Sequence, residues 1–215
     1  MEIKWYGHSC FVLTSSQGTR ILMDPCSPDT GYTLGPIQAD AVTCSHDHYD
    51  HNYVSAAADN PVLIRGPGEY FVKDTLIKGV PTWHDDAQGG KRGPNMMYIV
   101  EMDDMRILHA GDIGHLPDEG CLGMIGEIDV LLVPVGGVYT INYLQALGMA
   151  NMLRPSVVIP MHYKTPDCKV DLGELAPFIS TAKDCKIHRL NQSEATLSRG
   201  SLGEDRVLVL DYEKQ

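Results

Sequence analysis

The chain has 215 residues, 43% of them apolar and 21% charged, and its 17 Lys and Arg against 28 Asp and Glu give a formal net charge of −11. That length fills one sizeable core and leaves no obvious room for another, so a single domain over residues 1–215 is expected. The acidity argues against a basic surface of the kind that holds long nucleic acids, and no run approaches the ~18 apolar residues of a membrane span.

The opening Met1-Glu2-Ile3-Lys4-Trp5 has no apolar run and no small-residue cleavage site, so no secretory leader is expected. Six cysteines, at 10, 26, 44, 121, 168 and 185, form no C-x-x-C pair. They read as small buried hydrophobes of a chain in the reduced cytoplasm. Ile3 to Gly7, Cys10 to Thr14 and Arg20 to Met23 read as a local antiparallel set of strands, with a turn at Gln17-Gly18 and an end at Asp24-Pro25. Gly7-His8-Ser9 interrupts it. His8 is either a hydrogen-bonded core histidine or a group beside a functional site.

Residues 26–40 carry Pro28, Gly31, Gly35 and Pro36 and read as a loop bordering a pocket. Ala41 to Cys44 is a short buried strand, and Tyr53 to Asp59 reads as the start of a helix. Between them lies Ser45-His46-Asp47-His48-Tyr49-Asp50-His51. His46 and His48 alternate to one side of an extended segment and can chelate one cation; Asp50 and His51, on the turn that follows, can reach a second.

Further strands are expected at Pro61 to Arg65, Glu69 to Val72 and Leu76 to Pro81. His84 ends an extended run beside a flexible, Gly-rich stretch, 87–95, with the composition of a lid or entry loop. Lys91 and Arg92 in it read either as a solvated tip or as contacts for an anionic substrate. Met97 to Met102 and Met105 to His109 form a hairpin that runs into Ala110-Gly111-Asp112. There Gly111 lets the backbone turn closely, and Asp112 emerges where a carboxylate bridging two cations would sit. His109 reads as a supporting strand residue and His115 as a surface or lid residue.

Val130 to Val135 is a strand buried on both faces. A turn at 136–140 leads to a helix from Ile141 to Leu153. Ser156 to Met161 is the next buried strand and ends in His162-Tyr163-Lys164. Asp171 to Ala182 reads as a helix shortened or kinked by Pro177, and strands at Lys186 to Leu190 and Val207 to Leu210 close the chain. Polar residues thus recur at strand ends at 46–51, 84, 112 and 162. The halves 1–115 and 116–215 each read as strands with a covering helix or two, an α/β (α+β) arrangement of two facing sheets with helices outside.

Together these residues resemble the metallo-β-lactamase superfamily. His46-x-His48-x-Asp50-His51 matches its signature, and His84, Asp112 and His162 match the later motifs in order and approximate spacing. Trp5-Tyr6-Gly7-His8-Ser9, Asp24-Pro25, His109-Ala110-Gly111-Asp112 and Pro160-Met161-His162-Tyr163 resemble the branch holding ascorbate-6-phosphate lactonase-like and uncharacterised metal-dependent hydrolases, which shares features with the N-acylphosphatidylethanolamine phospholipase D type.

The resemblance implies a four-layer αββα sandwich and two divalent metal ions per chain, zinc as the first expectation and manganese as the second. It assigns His46, His48 and His84 to one ion, Asp50, His51 and His162 to the other, with Asp112 bridging and Asp24 supporting the ligand loop. The implied chemistry is hydrolysis of a small ester, lactone or phosphodiester by activated water, with Asp50 as the proton-handling catalytic residue. His8, Thr140, Tyr163 and Lys164 are candidate substrate contacts, and loops 26–40, 85–95 and 136–141 are expected to set specificity. The partner is a small-molecule substrate, with no nucleic acid; oligomeric state is left open. Two other readings stay open, a non-catalytic metal-binding or regulatory protein and an iron-dependent redox enzyme on the same fold.

Overall fold

The computed structural model describes residues 1–183, 185–202 and 206–214. Its elements in chain order are β1 (Glu2–Gly7), β2 (Cys10–Thr14), β3 (Arg20–Met23), β4 (Ile37–Gln38), β5 (Ala41–Thr43), β6 (Ala57–Ala58), β7 (Val62–Ile64), β8 (Gly68–Val72), β9 (Thr75–Trp83), β10 (Pro94–Met102), β11 (Met105–His109), α1 (Glu119–Ile125), β12 (Val130–Pro134), α2 (Tyr143–Leu153), β13 (Val157–Met161), α3 (Ala176–Thr181), β14 (Lys186–Arg189), β15 (Glu194–Thr196) and β16 (Arg206–Val209). One sheet has the order β15-β1-β2-β3-β5-β7 and the other β14-β16-β13-β12-β11-β10-β9-β8.

The first sheet is buried on both faces because its strands alternate between two apolar layers. Ile3, Trp5, Phe11, Leu13, Ile21, Met23 and Ala41 join the main core with the second sheet. Their neighbours Cys10, Val12, Leu22 and Val42 point the other way, under Cys26, Tyr32, Leu34, Ile37 and Leu172. That period of two is what strand geometry requires. Tyr98 on β10 ties the sheets: its hydroxyl lies 3.2 Å from the carbonyl oxygens of both Cys44 and Ile64.

Several details depart from the sequence reading. The division between sheets falls between Ile64 and Gly68, not near residue 115, and β15 returns to pair with β1. Among the described residues the three α-helices all follow residue 118; loops and single 3₁₀ turns cover the outer face of the first sheet. The helix expected from Tyr53 is one such turn, Val54–Ala56, because Ala57 and Ala58 pair with Ile37 and Gln38. Pro177 sits in the first turn of α3, where its missing N–H costs nothing, so the helix starts there rather than at Asp171. Neither α1 nor β15 was expected; α1 is short and carries two glycines, and β15 is three residues of mixed polarity.

Strand direction positions the site. β3, β5 and β7 run parallel, as do β11, β12 and β13. Their C-terminal ends release Asp24, the segment 44–51, Asp112, the loop 135–140 and His162 at one edge of the two sheets. Loops at the carboxyl ends of parallel strands are the usual place for a ligand site.

Candidate metal centre

Eight side chains that could ligate a metal meet at this edge. Ligand-capable atoms of His46, His48 and His84 lie within 4.8 Å of one another; so do those of His8, Asp50, His51 and His162, and those of His46, His51 and Asp112. Asp112 is central: its carboxylate oxygens lie 3.2 Å from His51 Nε2, 3.4 Å from His84 Nε2 and 3.2 Å from His162 Nε2. All the residues that the sequence reading named around a two-ion site are therefore brought together, and His8 joins them.

Hydrogen bonds fix how these groups point. Asp24, fully buried, accepts from Ser45 N (2.7 Å), Ser45 Oγ (2.5 Å) and His51 Nδ1 (2.7 Å). Since the Ser45 hydroxyl proton goes to Asp24, Ser45 Oγ accepts from His46 Nδ1 at 2.9 Å. Both imidazoles thus have Nδ1 committed. Their Nε2 atoms are buried without a hydrogen-bond partner, as is Asp112 Oδ1. His109 differs: Nε2 donates to Ser9 O at 2.9 Å and Nδ1 accepts from Gly111 N at 3.1 Å. With both nitrogens used, it is a structural histidine.

Backbone geometry presses these residues inward. His8, Asp24 and His162 all adopt left-handed conformations, with φ of 52°, 44° and 53°. Such strain in non-glycine residues collects at functional sites. Gly111 (φ 57°) is needed for a second reason. A Cβ there would lie 2.4 Å from Asn95 Oδ1 and 2.7 Å from Ser45 Cβ. Asn95 Oδ1 accepts from Asp112 N at 2.9 Å, and its amide group donates to Thr82 Oγ1 and Ala110 O. Asn95 and Ser45 hold the site and were missed as sequence candidates; a lone Asn or Ser carries no spacing signal.

The electrostatics call for a cation. Burial pushes the His46 imidazole down to about 3 and that of His8 to about 4, keeping both neutral. Burial also opposes charge on His51, but Asp112, Asp50 and Asp24 outweigh it and raise its proton affinity well above the ordinary value. Burial would raise the carboxyls of Asp112, Asp50 and Asp24; neighbouring imidazoles and hydrogen bonds instead hold all three below the ordinary range. Carboxylates held below the ordinary range among these clustered imidazoles form a donor set that fits a divalent ion. His51 tied to Asp24 has the imidazole–carboxylate pairing that would support a metal ligand.

A cavity of about 480 Å³ opens over the cluster, lined by Asp47, His48, Tyr49, Asp50, His84, Arg92, Asp112, Tyr139 and Val170. It is of a size for a small molecule. The loop 26–40 supplies none of its lining residues. Instead it supports a loop that does: Lys169 N donates to Thr30 O, and Tyr32 and Thr165 hydroxyls lie 2.6 Å apart. Lys164 is also taken up here, its Nζ donating to Cys168 O and Val170 O. Tyr163 is a core residue, its ring 5.3 Å from that of Trp5. Thr140 bonds to Ile141 O outside the lining, and Tyr139 takes the place expected for it. The 85–92 loop is not slack: Asp85 accepts backbone N–H bonds from Ala87, Gly89, Lys91 and Arg92.

With this geometry in view, comparison with known proteins is decisive. Residues 2–162 match the family model described as the beta-lactamase superfamily domain. The chain belongs to the metallo-β-lactamase superfamily. It is 30% identical over 221 residues to a UPF0173 metal-dependent hydrolase of Thermus thermophilus, covering 90% of this chain and 97% of that protein. A Thermotoga maritima crystal structure, described as a Zn-dependent hydrolase of the superfamily, superposes with a TM-score of 0.79 at 34% identity, covering 97% of this chain and 98% of that one. Igni18, a metallo hydrolase of Ignicoccus hospitalis, shares the fold with a TM-score of 0.69 at 22% identity, over 99% and 96% of the two chains. No helix among the described residues is long and apolar enough to cross a membrane.

Proposed function

We propose that this member of the superfamily is a metal-dependent hydrolase that uses a dinuclear centre on a small ester, lactone or phosphodiester. The chain acts as one domain, in the cytoplasm. The observation that carries the reading is the convergence of His46 Nε2, His51 Nε2 and Asp112 Oδ1, all buried and none hydrogen-bonded, the last two 3.2 Å apart, within one cluster of imidazoles and carboxylates. Such orphaned polar atoms are costly unless something binds them. The names of the Thermus and Thermotoga relatives support hydrolysis.

His46, His48 and His84 would hold one ion, Asp50, His51 and His162 the other, and Asp112 both. When bound, a pair of divalent ions supplies water activation at neutral pH and stabilises negative charge developing on a substrate oxygen. The chain's residues do the rest. Asp50 reaches both the cluster and the cavity, and His8 Nε2 donates to its Oδ2 at 3.0 Å. That bond leaves one carboxylate edge to orient the attacking water and carry its proton to the leaving group. Asp24, through Ser45 and His51, keeps the imidazoles aimed. Asp47, Asp50 and Asp112 in the lining disfavour a polynucleotide, which supports a small substrate.

Elemental analysis of protein purified without added metal tests this, with Asp112→Ala as control. About two zinc or manganese per chain, falling in the control, together with turnover of an ester, lactone or phosphodiester, is the expected result. Iron in their place overturns the hydrolase in favour of redox chemistry. A full metal complement with no turnover favours a binding protein.

A further inference from the structure

The rim of the cavity carries one cation among the described residues. Lys91 and Arg92 are adjacent in sequence, yet the structure separates their roles. Lys91 Nζ pairs with Asp86 Oδ1 at 2.6 Å on the exposed side of the loop and does not line the cavity. Arg92 turns the other way. Its guanidinium carbon sits 5.5 Å from the centroid of the Tyr139 ring, and both residues line the cavity with Asp50, His84 and Asp112. Among the described residues its guanidinium has no ion pair and no side-chain hydrogen bond, although the cavity holds three carboxylates. Five donors in a planar fork are therefore free, steadied on an aromatic face.

Both supports of this pair are built. The Arg92 backbone N–H is one of the four that Asp85 gathers. On the other side, Tyr139 follows Val138, a β-branched residue at φ 63°, and Tyr139 N closes a tight turn on Gly137 O at 2.7 Å. A β-branched residue in the left-handed region is rare and costs energy, so it marks a loop held for a purpose.

We infer that the substrate carries an anionic group, a carboxylate or a phosphate, set apart from the bond that is cleaved, and that Arg92 on its Tyr139 platform is the specificity-determining residue that binds it. A guanidinium matches the two oxygens of either group, and in a half-enclosed cavity such charge-assisted bonds count for more than at a surface. The substrate class deepens the hydrolase reading and rests on it only for turnover.

The test uses the full chain loaded with zinc and a matched set of p-nitrophenyl esters whose acyl chains end in a methyl, a carboxylate or a phosphate. Ketone analogues, with a methylene in place of the ester oxygen, give binding by calorimetry without turnover. The expected result is that one or both anionic compounds bind at least about tenfold tighter than the neutral one, which also says which anion is preferred. Arg92→Ala should raise KM for the preferred ester by about 10- to 100-fold with kcat little changed and leave the neutral ester unaffected. Arg92→Lys restores part of the difference, and Lys91→Ala changes nothing. Because the backbone bond to Asp85 survives the substitution, an unaltered thermal melt is expected for Arg92→Ala. Equal binding of neutral and anionic analogues, no dependence on Arg92, or no binding by any analogue overturns the inference. Esters hydrolysed without dependence on Arg92 would sink this inference and keep the hydrolase. Arg92-dependent binding of an anionic ketone with no ester hydrolysed would do the reverse.

Discussion

The floor and the rim of the cavity are built differently. On the floor, the candidate metal-site residues follow strand ends, all but His48 are mostly buried, and hydrogen bonds running inward to Asp24 and Asn95 fix Ser45, His51 and Asp112. On the rim, Arg92, Tyr139 and Val170 come from loops, and each is held mainly through its backbone, by Asp85, by a strained turn and by Lys164. The difference teaches how one scaffold can keep its chemistry while its substrate changes. Floor residues depend on one another, so substitutions there spread; rim side chains are free of their own supports, so they can be exchanged singly.

The most severe way to break the floor is Asp112→Ala. Its carboxylate lies within 3.4 Å of three imidazole nitrogens, so no neighbour can take its place. Metal content should fall by at least half by elemental analysis. Turnover should drop on the order of 10³-fold, the scale of losing a preorganised charge-stabilising group. Next is Asp24, which touches no cavity atom. Asp24→Ala leaves Ser45 and His51 donors buried and unpaired and should cost about 3–5 kcal/mol in urea unfolding. Asp24→Asn keeps the shape but loses the charge, and chelator competition should show metal affinity 10–100-fold weaker, in keeping with other supports of metal ligands at about that range.

The clustering on the floor was legible in the sequence because a candidate metal-ligand set calls for particular residue types at particular spacings. His46, His48, Asp50 and His51 fall within one turn, and His84, Asp112 and His162 each follow an apolar run whose end could be read. The two central buried strands, β12 and β13, were equally plain from Val130 to Val135 and Ser156 to Met161. What stayed hidden depended on contacts between distant segments. Nothing local marks Glu194–Thr196 as the partner of β1, or assigns Val170 to the cavity and the 26–40 loop to its support. Tyr163 was misjudged because its neighbour His162 faces the site; at a strand end adjacent residues face opposite ways, and Tyr163 went to Trp5.

A pH titration of the metal-free chain separates floor from rim more finely. His46 and His8 have folded values of about 3 and about 4, against ~6.5 unfolded. Below ~6.5 the unfolded chain takes up protons that the folded chain refuses. Their contribution is therefore fully present above ~6.5 and declines as pH falls toward those folded values. His51, with its raised value, works in the opposite sense: its stabilisation is complete below ~6.5 and is lost as pH rises through its folded value. Replacing His8 by Asn should flatten the stretch between ~6.5 and about 4 in urea midpoints measured against pH. An unchanged slope would mean that His8 is charged in the folded chain.

The smallest effect belongs to Asp85, and it decides whether the rim is an independent unit. Its carboxylate accepts four backbone N–H bonds, which outweigh burial and hold the group down at about 2. Against an unfolded value of ~3.9 the sign is the ordinary one for an acid: the stabilisation is complete above ~3.9 and is lost as pH falls through about 2. Asp85→Asn replaces one acceptor oxygen with a donor, so at least one of the four N–H groups loses its partner. Proteolytic nicking within 87–92 should then increase and KM for the anionic ester rise several-fold, while kcat, metal content and the histidine part of the pH profile stay as they were. If kcat or metal content fell with KM, the contact from Gly114 N to Trp83 O, beside His84, would be carrying strain from rim to floor, and the two regions would have to be treated as one.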